Sequence, residues 1–153
     1  MVLRLFQPGD AVHFRSLNEE WIRQWFGLEE QDEKVLNDPQ SSVLGPGGQI
    51  LFAEIDGSPV GCCALIPGEQ GEFELAKMAV APAYRGQGIG RRLLDSAISL
   101  ARTMGARSLL LGSNRKLESA IRLYESAGFE YVSADSLPPS PYARADVFMR
   151  LEL

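Results

Sequence analysis

The run Ala81-Pro-Ala-Tyr-Arg-Gly-Gln-Gly-Ile-Gly-Arg-Arg-Leu-Leu94 lies between an extended-looking stretch, Phe73 to Val80, and a helical pattern that ends near Gly105. A strand, a glycine-rich turn and a helix start, in that order, make a site for an anion. The first N–H groups of a helix lack intrahelical partners, and the aligned peptide dipoles add partial positive charge there. Gly86, Gly88 and Gly90 remove side chains from the turn, so a phosphate can approach the backbone. Arg85, Arg91 and Arg92 add cations suited to bidentate phosphate contacts.

The spacing excludes two familiar phosphate loops. A magnesium-nucleotide loop needs Lys-Ser or Lys-Thr after its glycines, and neither follows here. A dinucleotide fold needs G-x-G-x-x-G; counted from Gly86 the third position is Arg91, and counted from Gly88 it is Leu93. The next strand-like segment, Arg107 to Leu111, runs into Gly112-Ser113-Asn114, with no acid to hold a ribose. A plain connecting turn would have little use for three glycines beside three arginines.

Composition narrows the ligand further. The 153 residues suffice for one domain with a core, and 45% hydrophobic with 23% charged residues match a soluble globular protein. A net charge of −5 argues against a nucleic-acid binder, so the arginines form a local positive site that favours a small polyanion. Cys62 and Cys63 are adjacent, hence on opposite faces of a strand, and read as reduced; no further cysteine supports a disulfide framework or a metal site. The N-terminal residues lack a long apolar segment and no stretch is long enough to span a membrane, so a cytoplasmic location is expected.

The remaining pattern places this turn in a mixed α/β domain. Leu3 to Phe6 reads as a first strand, and Asp10 is placed to cap a helix through its carboxylate. Phe14, Leu17, Trp21, Ile22 and Trp25 recur at helical spacing, and a second helix after Gly27 carries Glu29, Glu30 and Asp32 early and stops before Pro39. Ile50 to Ile55 and Val60 to Ile66 form a hairpin through Asp56-Gly57, with Pro59 suggesting a slightly longer turn. Phe73 to Val80 is the third strand of this meander. Leu93 to Met104 forms a helix closed by Gly105, Ser108 to Leu111 a buried strand, and Leu117 to Ala127 a helix ending at Gly128. Glu130 to Ser133 and Asp146 to Leu151 finish as strands around a proline- and serine-rich loop, Asp135 to Tyr142. The expectation is one domain over residues 1–153, a mostly antiparallel mixed sheet flanked by helices.

The pattern Arg85-x-x-Gly88-x-Gly90 resembles the acyl-CoA-binding signature of the GNAT family of N-acetyltransferases. Glu74-Leu-Ala-Lys-Met-Ala-Val80 is similar to the strand before that signature. Ser113 to Phe129, ending in Leu123-Tyr124-x-x-x-Gly128-Phe129, is similar to the family's second cofactor motif. The resemblance implies an enzyme that transfers the acetyl group of acetyl-CoA to a primary amine, with no metal. The competing function is a non-catalytic acyl-CoA-binding or sensing domain of the same fold. The expected partners are acetyl-CoA and an amine acceptor, not nucleic acid or membrane; a homodimer is left open.

By position, the resemblance assigns the pantetheine arm to the backbone of Met78, Ala79 and Val80, and the pyrophosphate to Arg85, Gly86, Gln87, Gly88, Ile89, Gly90 and Arg91. Tyr124 matches the tyrosine that protonates the departing thiolate; the alternative is that it orients the thiol or packs on its helix. Asn114 stands three residues before the motif's usual asparagine position, which here is Leu117, and either reaches the cofactor arm or caps the helix. The acceptor site is implied around Trp21 to Asp32 and Ser136 to Arg144. Tyr142 and Arg144 suit an anionic substrate group, whereas Glu29, Glu30 and Asp32 suit a cationic one.

Elementary chemistry supplies the rest. Amide formation from a thioester needs a neutral amine, a stabilised oxyanion and a proton for the thiolate. No Ser-His-Asp or Cys-His arrangement is visible, and His13 lies early in the first helix, so direct attack fits better than an acyl-enzyme. Glu74 is the candidate base. Strand periodicity puts it on one face with Ala76 and Met78, where a carboxylate needs either a function or a partner such as Lys77 or Arg107. Glu72, beside Gly71, reads as a solvated charge.

Overall fold

In the computed structural model, which describes residues 1–153, the strands are β1 (Val2–Leu5), β2 (Gln49–Ile55), β3 (Ser58–Pro67), β4 (Glu72–Val80), β5 (Ser108–Ser113), β6 (Glu130–Tyr131) and β7 (Val147–Glu152). The helices are α1 (Ala11–Trp25), α2 (Glu30–Asn37), α3 (Ile89–Thr103) and α4 (Glu118–Ser126). One seven-stranded sheet runs β1-β2-β3-β4-β5-β7-β6, and only β4 and β5 pair in parallel. This is the mixed, mostly antiparallel α/β sheet that the sequence pattern predicts.

Strand alternation builds a core on each face. Leu51, Ala53, Cys63 and Leu65 pack against Leu93, Leu94, Ala97 and Ala101 of α3 and Tyr124 of α4. Ile50, Phe52, Cys62 and Ala64 point the other way, against Phe14 and Ile22 of α1 and Val35 and Leu36 of α2. Cys62 and Cys63 thus lie on opposite faces as free, buried thiols. No helix is long and apolar enough to cross a membrane.

Three local expectations change. The β2–β3 hairpin turns on two residues, Asp56 and Gly57, both at positive φ (51° and 77°), as a type I′ turn requires. Pro59 does not lengthen it, because a bulge at Ala53/Glu54 absorbs the register change. Asp10 precedes α1, but its carboxylate makes no cap bond; it accepts from Arg4 Nη1 at 2.6 Å and from the Gln7 N–H at 2.6 Å, tying β1 to the helix entry. A π-helical turn at Gln40–Leu44, unsignalled in the sequence, follows Pro39 and closes through Gly45 N–H to the Gln40 carbonyl.

The feature that positions the site is in β4. Ala64 opposes Ala76 and Cys62 opposes Ala79, so Lys77 and Met78 together face Cys63 as a bulge. Lys77 occupies it at φ 55°, a left-handed conformation that L side chains seldom adopt. On the other edge, β4 pairs with β5 only through Glu72–Glu74 and Ser108–Leu110. Beyond Glu74 the two strands part, and the β4 edge from Leu75 to Val80 has no strand partner there.

Candidate active site

The parting of β4 and β5 opens a cavity of about 610 Å³ whose wall includes Glu74, Met78, Ala79, Val80, Arg85, Asn114 and Tyr124. That volume lies within the usual range for a small-molecule site. The bulge changes how these groups are arrayed. Glu74 pairs across the sheet with Ile66, which packs on the α1/α2 side. Met78 packs instead on the α3/α4 side. The expectation that Glu74 and Met78 share a face therefore fails, because the extra residue at Lys77 reverses the alternation.

Glu74 has no ion-pair partner within 4.0 Å, so the anticipated pairing with Lys77 or Arg107 is absent. Burial pushes its carboxyl above the ordinary range, and the nearby positive charge of Lys77 opposes that rise. Glu72 is the structural carboxylate instead: it accepts from Arg150 Nε at 2.7 Å and from Ser108 Oγ at 2.8 Å, so it is not a merely solvated charge. Tyr124 is buried on the opposite face, its hydroxyl 3.9 Å from Met78 Sδ. Burial raises its phenol well above the ordinary value, so it keeps its proton at neutral pH.

The glycine turn continues from Arg85 beyond the cavity wall, on the surface. The N–H groups of Gly86, Gln87 and Gly88 donate to no backbone oxygen, and Ile89, Gly90 and Arg91 form the first turn of α3. Gly88 caps that helix at φ 81°, and a Cβ added there meets nothing within 4 Å. Gly90 differs: its Cβ position faces inward, 3.5 Å from Leu123 and 3.9 Å from Val80. The Ile89 side chain is core, so only its backbone is available. Arg85 bonds to the Val80 carbonyl and to Glu20 (2.7 Å), while Arg91 bonds to Asp95 and Ser126. Arg92 is left as the arginine of the turn without an acidic partner.

Asn114 is buried at the start of the β5–α4 turn. Its amide donates to the Arg144 carbonyl at 2.7 Å and its oxygen accepts from the Lys116 N–H at 2.9 Å, which ties the turn to the β6–β7 loop. His13 is exposed on α1, outside the cavity. Burial raises both cysteine thiols, Cys63 to about 12, so neither is a ready nucleophile.

A charged cluster that the sequence does not announce closes the α1/α2 side. Asp32, fully buried, accepts from Lys77 Nζ at 2.8 Å and from both terminal nitrogens of Arg144, at 2.6 and 2.7 Å. Burial alone would raise the Asp32 carboxyl, but the bonds from Arg144 and Lys77 hold it down to about 2. Lys77 also donates to the Tyr142 hydroxyl at 2.7 Å, and Glu29 accepts from the backbone N–H of Ala143 at 2.7 Å. The opposing suggestions for Tyr142 and Arg144 and for Glu29 and Asp32 resolve here: Arg144 binds Glu29 and Asp32, and Lys77 links Asp32 to Tyr142, fastening the β6–β7 loop to α2, whereas Glu30 is exposed and joins none of these bonds. Lys77, expected from the sequence only as a partner for Glu74, pairs with Asp32 instead; its sequence signal is a lysine amid the apolar residues of β4.

Known proteins resemble this chain over most of its length. Residues 14–129 match the family model described as the acetyltransferase (GNAT) family. An uncharacterised N-acetyltransferase of Schizosaccharomyces pombe is 31% identical over 151 residues, covering 95% of this chain and 90% of that protein. A GNAT-family acetyltransferase structure from Staphylococcus aureus superposes with a TM-score of 0.90 at 22% identity, covering 99% and 98% of the two chains. An acetyltransferase of Salmonella typhimurium, solved with its cofactor acetyl-CoA, gives a TM-score of 0.75 at 22% identity over 99% and 93%.

Proposed function

We propose a chemical role for a chain that belongs to the GNAT acetyltransferase family: it transfers the acetyl group of acetyl-CoA to a primary amine by direct attack, without an acyl-enzyme. The observation that carries this reading is the cavity at the parting of β4 and β5, with Glu74 on one face of the sheet and Tyr124 on the other.

The residues present fit acetyl-CoA. The unpaired β4 edge, at Met78, Ala79 and Val80, offers backbone groups to the pantetheine arm. The free N–H groups of Gly86, Gln87 and Gly88 and the first turn of α3 at Ile89, Gly90 and Arg91 would receive the pyrophosphate, with Arg85 and Arg92 beside them. Arg85 would contribute by moving charge away from Glu20. Asn114 holds the cavity wall through its bonds to the turn and loop.

Bound acetyl-CoA supplies an acetyl thioester, whose C–S bond breaks as the amine nitrogen forms a C–N bond. Glu74, raised by burial and free of an ion pair, takes the proton that the amine nitrogen must lose, directly or through a water. Tyr124, held protonated by burial, gives its proton to the leaving sulfur and is reprotonated from solvent. Backbone N–H groups on the β4 edge stabilise the developing negative charge on oxygen.

Thiol release from acetyl-CoA with a panel of primary amines tests the reading. Turnover in the wild type that falls in both Glu74→Gln and Tyr124→Phe is the expected result. Tight binding of CoA with no turnover on any amine would favour a non-catalytic acyl-CoA-binding domain.

A further inference from the structure

The buried stripe of α1 is Phe14, Asn18 and Ile22, so an amide sits where the pattern calls for an apolar side chain. Beside it Cys62 is a fully buried thiol, and the transfer described above uses neither group. Polar groups in such a place are costly unless bonded, and both are bonded. Asn18 Oδ1 accepts from the Trp21 indole N–H at 3.0 Å, while its Nδ2 donates to the Phe14 carbonyl at 2.9 Å and to Cys62 Sγ at 3.4 Å. Cys62 Sγ in turn lies 3.6 Å from the Lys77 carbonyl, within reach of a thiol donor. Because the amide donates to the sulfur, the thiol hydrogen is left for the carbonyl. Burial raises this thiol well above its ordinary value, so the hydrogen is present at neutral pH.

The carbonyl held in this way belongs to the β4 bulge. Cys62 is on β3, so the Lys77 carbonyl turns toward β3. No peptide bond in the chain is cis, and in a trans peptide the C=O and the following N–H point in opposite directions. The Met78 N–H therefore points away from β3, into the gap where β5 has parted. The ladder gives the same direction independently. Ala81 donates to the Val60 carbonyl of β3 and Ala79 opposes Cys62; alternate residues turn to one edge, which leaves Val80 and Met78 on the other. On that edge Arg85 Nε meets the Val80 carbonyl at 2.9 Å. Asp32 and Tyr142 hold the far end of the Lys77 side chain, on a flexible stem, whereas Cys62 acts on the peptide plane itself.

We infer that Cys62, aimed by Asn18, is a positioning residue for acetyl transfer: its thiol fixes the peptide between Lys77 and Met78 so that the Met78 N–H meets the thioester oxygen as negative charge develops there. This inference rests on the acetyltransferase reading. Cys62 is absent from the cavity wall, whereas Met78 is part of it, so the thiol acts through the backbone and touches no reactant.

The test uses Cys62→Ala and Cys62→Val, which remove the donor and differ in volume, and Cys62→Ser, which keeps an O–H. Infrared difference spectra of acetyl-CoA labelled at its carbonyl carbon read the N–H bond directly, because a hydrogen bond lowers the C=O stretch. Calorimetry gives the acetyl-CoA Kd, and thiol release with a panel of primary amines gives kcat. The bound carbonyl should stretch at lower frequency in the wild type and Cys62→Ser than in Cys62→Ala or Cys62→Val. In the two apolar variants kcat should fall about tenfold, and Cys62→Ser should recover most of that loss. The Kd should stay within about twofold throughout, and an unfolding transition shows that each variant is folded. An unchanged kcat or an unchanged carbonyl frequency in the apolar variants would overturn the role. So would a Cys62→Ser protein as impaired as Cys62→Val. Acetyl-CoA binding without turnover on any amine would reject the transfer reading, while the infrared comparison would still decide where the Met78 N–H points. Failure to bind acetyl-CoA would reject both.

Discussion

Glu74 and Tyr124 line one cavity from opposite faces of the same sheet. The two faces communicate because β4 and β5 stop pairing after Glu74 and Leu110. An acid–base pair divided in this way can serve two reactants that approach from different sides and meet in the gap.

The first prediction concerns pH. Burial raises the Glu74 carboxyl, so the acid limb of kcat/KM should lie above the ordinary glutamate value of about 4.3. Activity should increase as pH climbs through that limb and Glu74 deprotonates. Glu74→Gln should lose most between that limb and the amine's own pKa, where Glu74 is ionised and little amine is neutral; the deficit should shrink below the limb, where Glu74 is protonated, and again above the amine's pKa. An unchanged pH–rate profile in the variant would remove Glu74 from the base role.

Tyr124→Phe should lower kcat by about 10- to 100-fold while leaving the Kd for acetyl-CoA nearly intact. Its hydroxyl makes only a long contact to Met78 Sδ, at 3.9 Å, so the ring and its packing on Phe129 should persist. Weaker acetyl-CoA binding without a defect in kcat would assign the hydroxyl to positioning the ligand.

The buried Asp32 cluster makes a prediction about stability. The folded carboxyl, at about 2, lies below its unfolded value of about 3.9, so its stabilisation is present above the unfolded value. That contribution is lost as pH falls from about 4 through about 2, and is on the order of 2 kcal/mol. Asp32→Asn should cost about 3 kcal/mol near neutrality, because Lys77 and Arg144 lose their shared carboxylate. Urea unfolding at stepped pH checks both, and the variant should lose less stability than the wild type between about pH 4 and 2.

Gly90→Ala separates packing from ligand approach. Its Cβ would meet Leu123 at an ordinary 3.5 Å, inside the fold, so the helix should gain up to about 1 kcal/mol. Acetyl-CoA affinity should not change. Thermal unfolding and calorimetry on the same variant check the two halves; a large loss of affinity would place a ligand against the inner side of α3.

Much of this architecture was legible because it is local. The turn from Ala81 to Leu94 is specified by adjacent glycines, and the helix stops at Gly105 and Gly128 by single residues at φ 85° and 100°. The Asp56-Gly57 hairpin was readable too, although the bulge that absorbs Pro59 was not. What escaped was long-range. Lys77, where the side-chain alternation reverses, bonds to Asp32, 45 residues away, and to Tyr142, 65 away. Periodicity assigns Glu74 and Met78 to one face and cannot see the bulge that separates them. Likewise, Arg85 reads as a free cation until folding brings Glu20 of α1 to it.

The central claim is that acetyl-CoA lies with its phosphates on the open backbone between Gly86 and Arg91. Isothermal titration of acetyl-CoA into the wild type and into Gly88→Val tests it most directly. Gly88 sits at φ 81° with no atom within 4 Å of its Cβ position, so valine strains the turn by about 1–2 kcal/mol and enters the phosphate path. With the variant shown to be folded by its unfolding transition, saturable wild-type binding and its loss in Gly88→Val are the predicted results. Equal affinity in the two proteins would contradict the account.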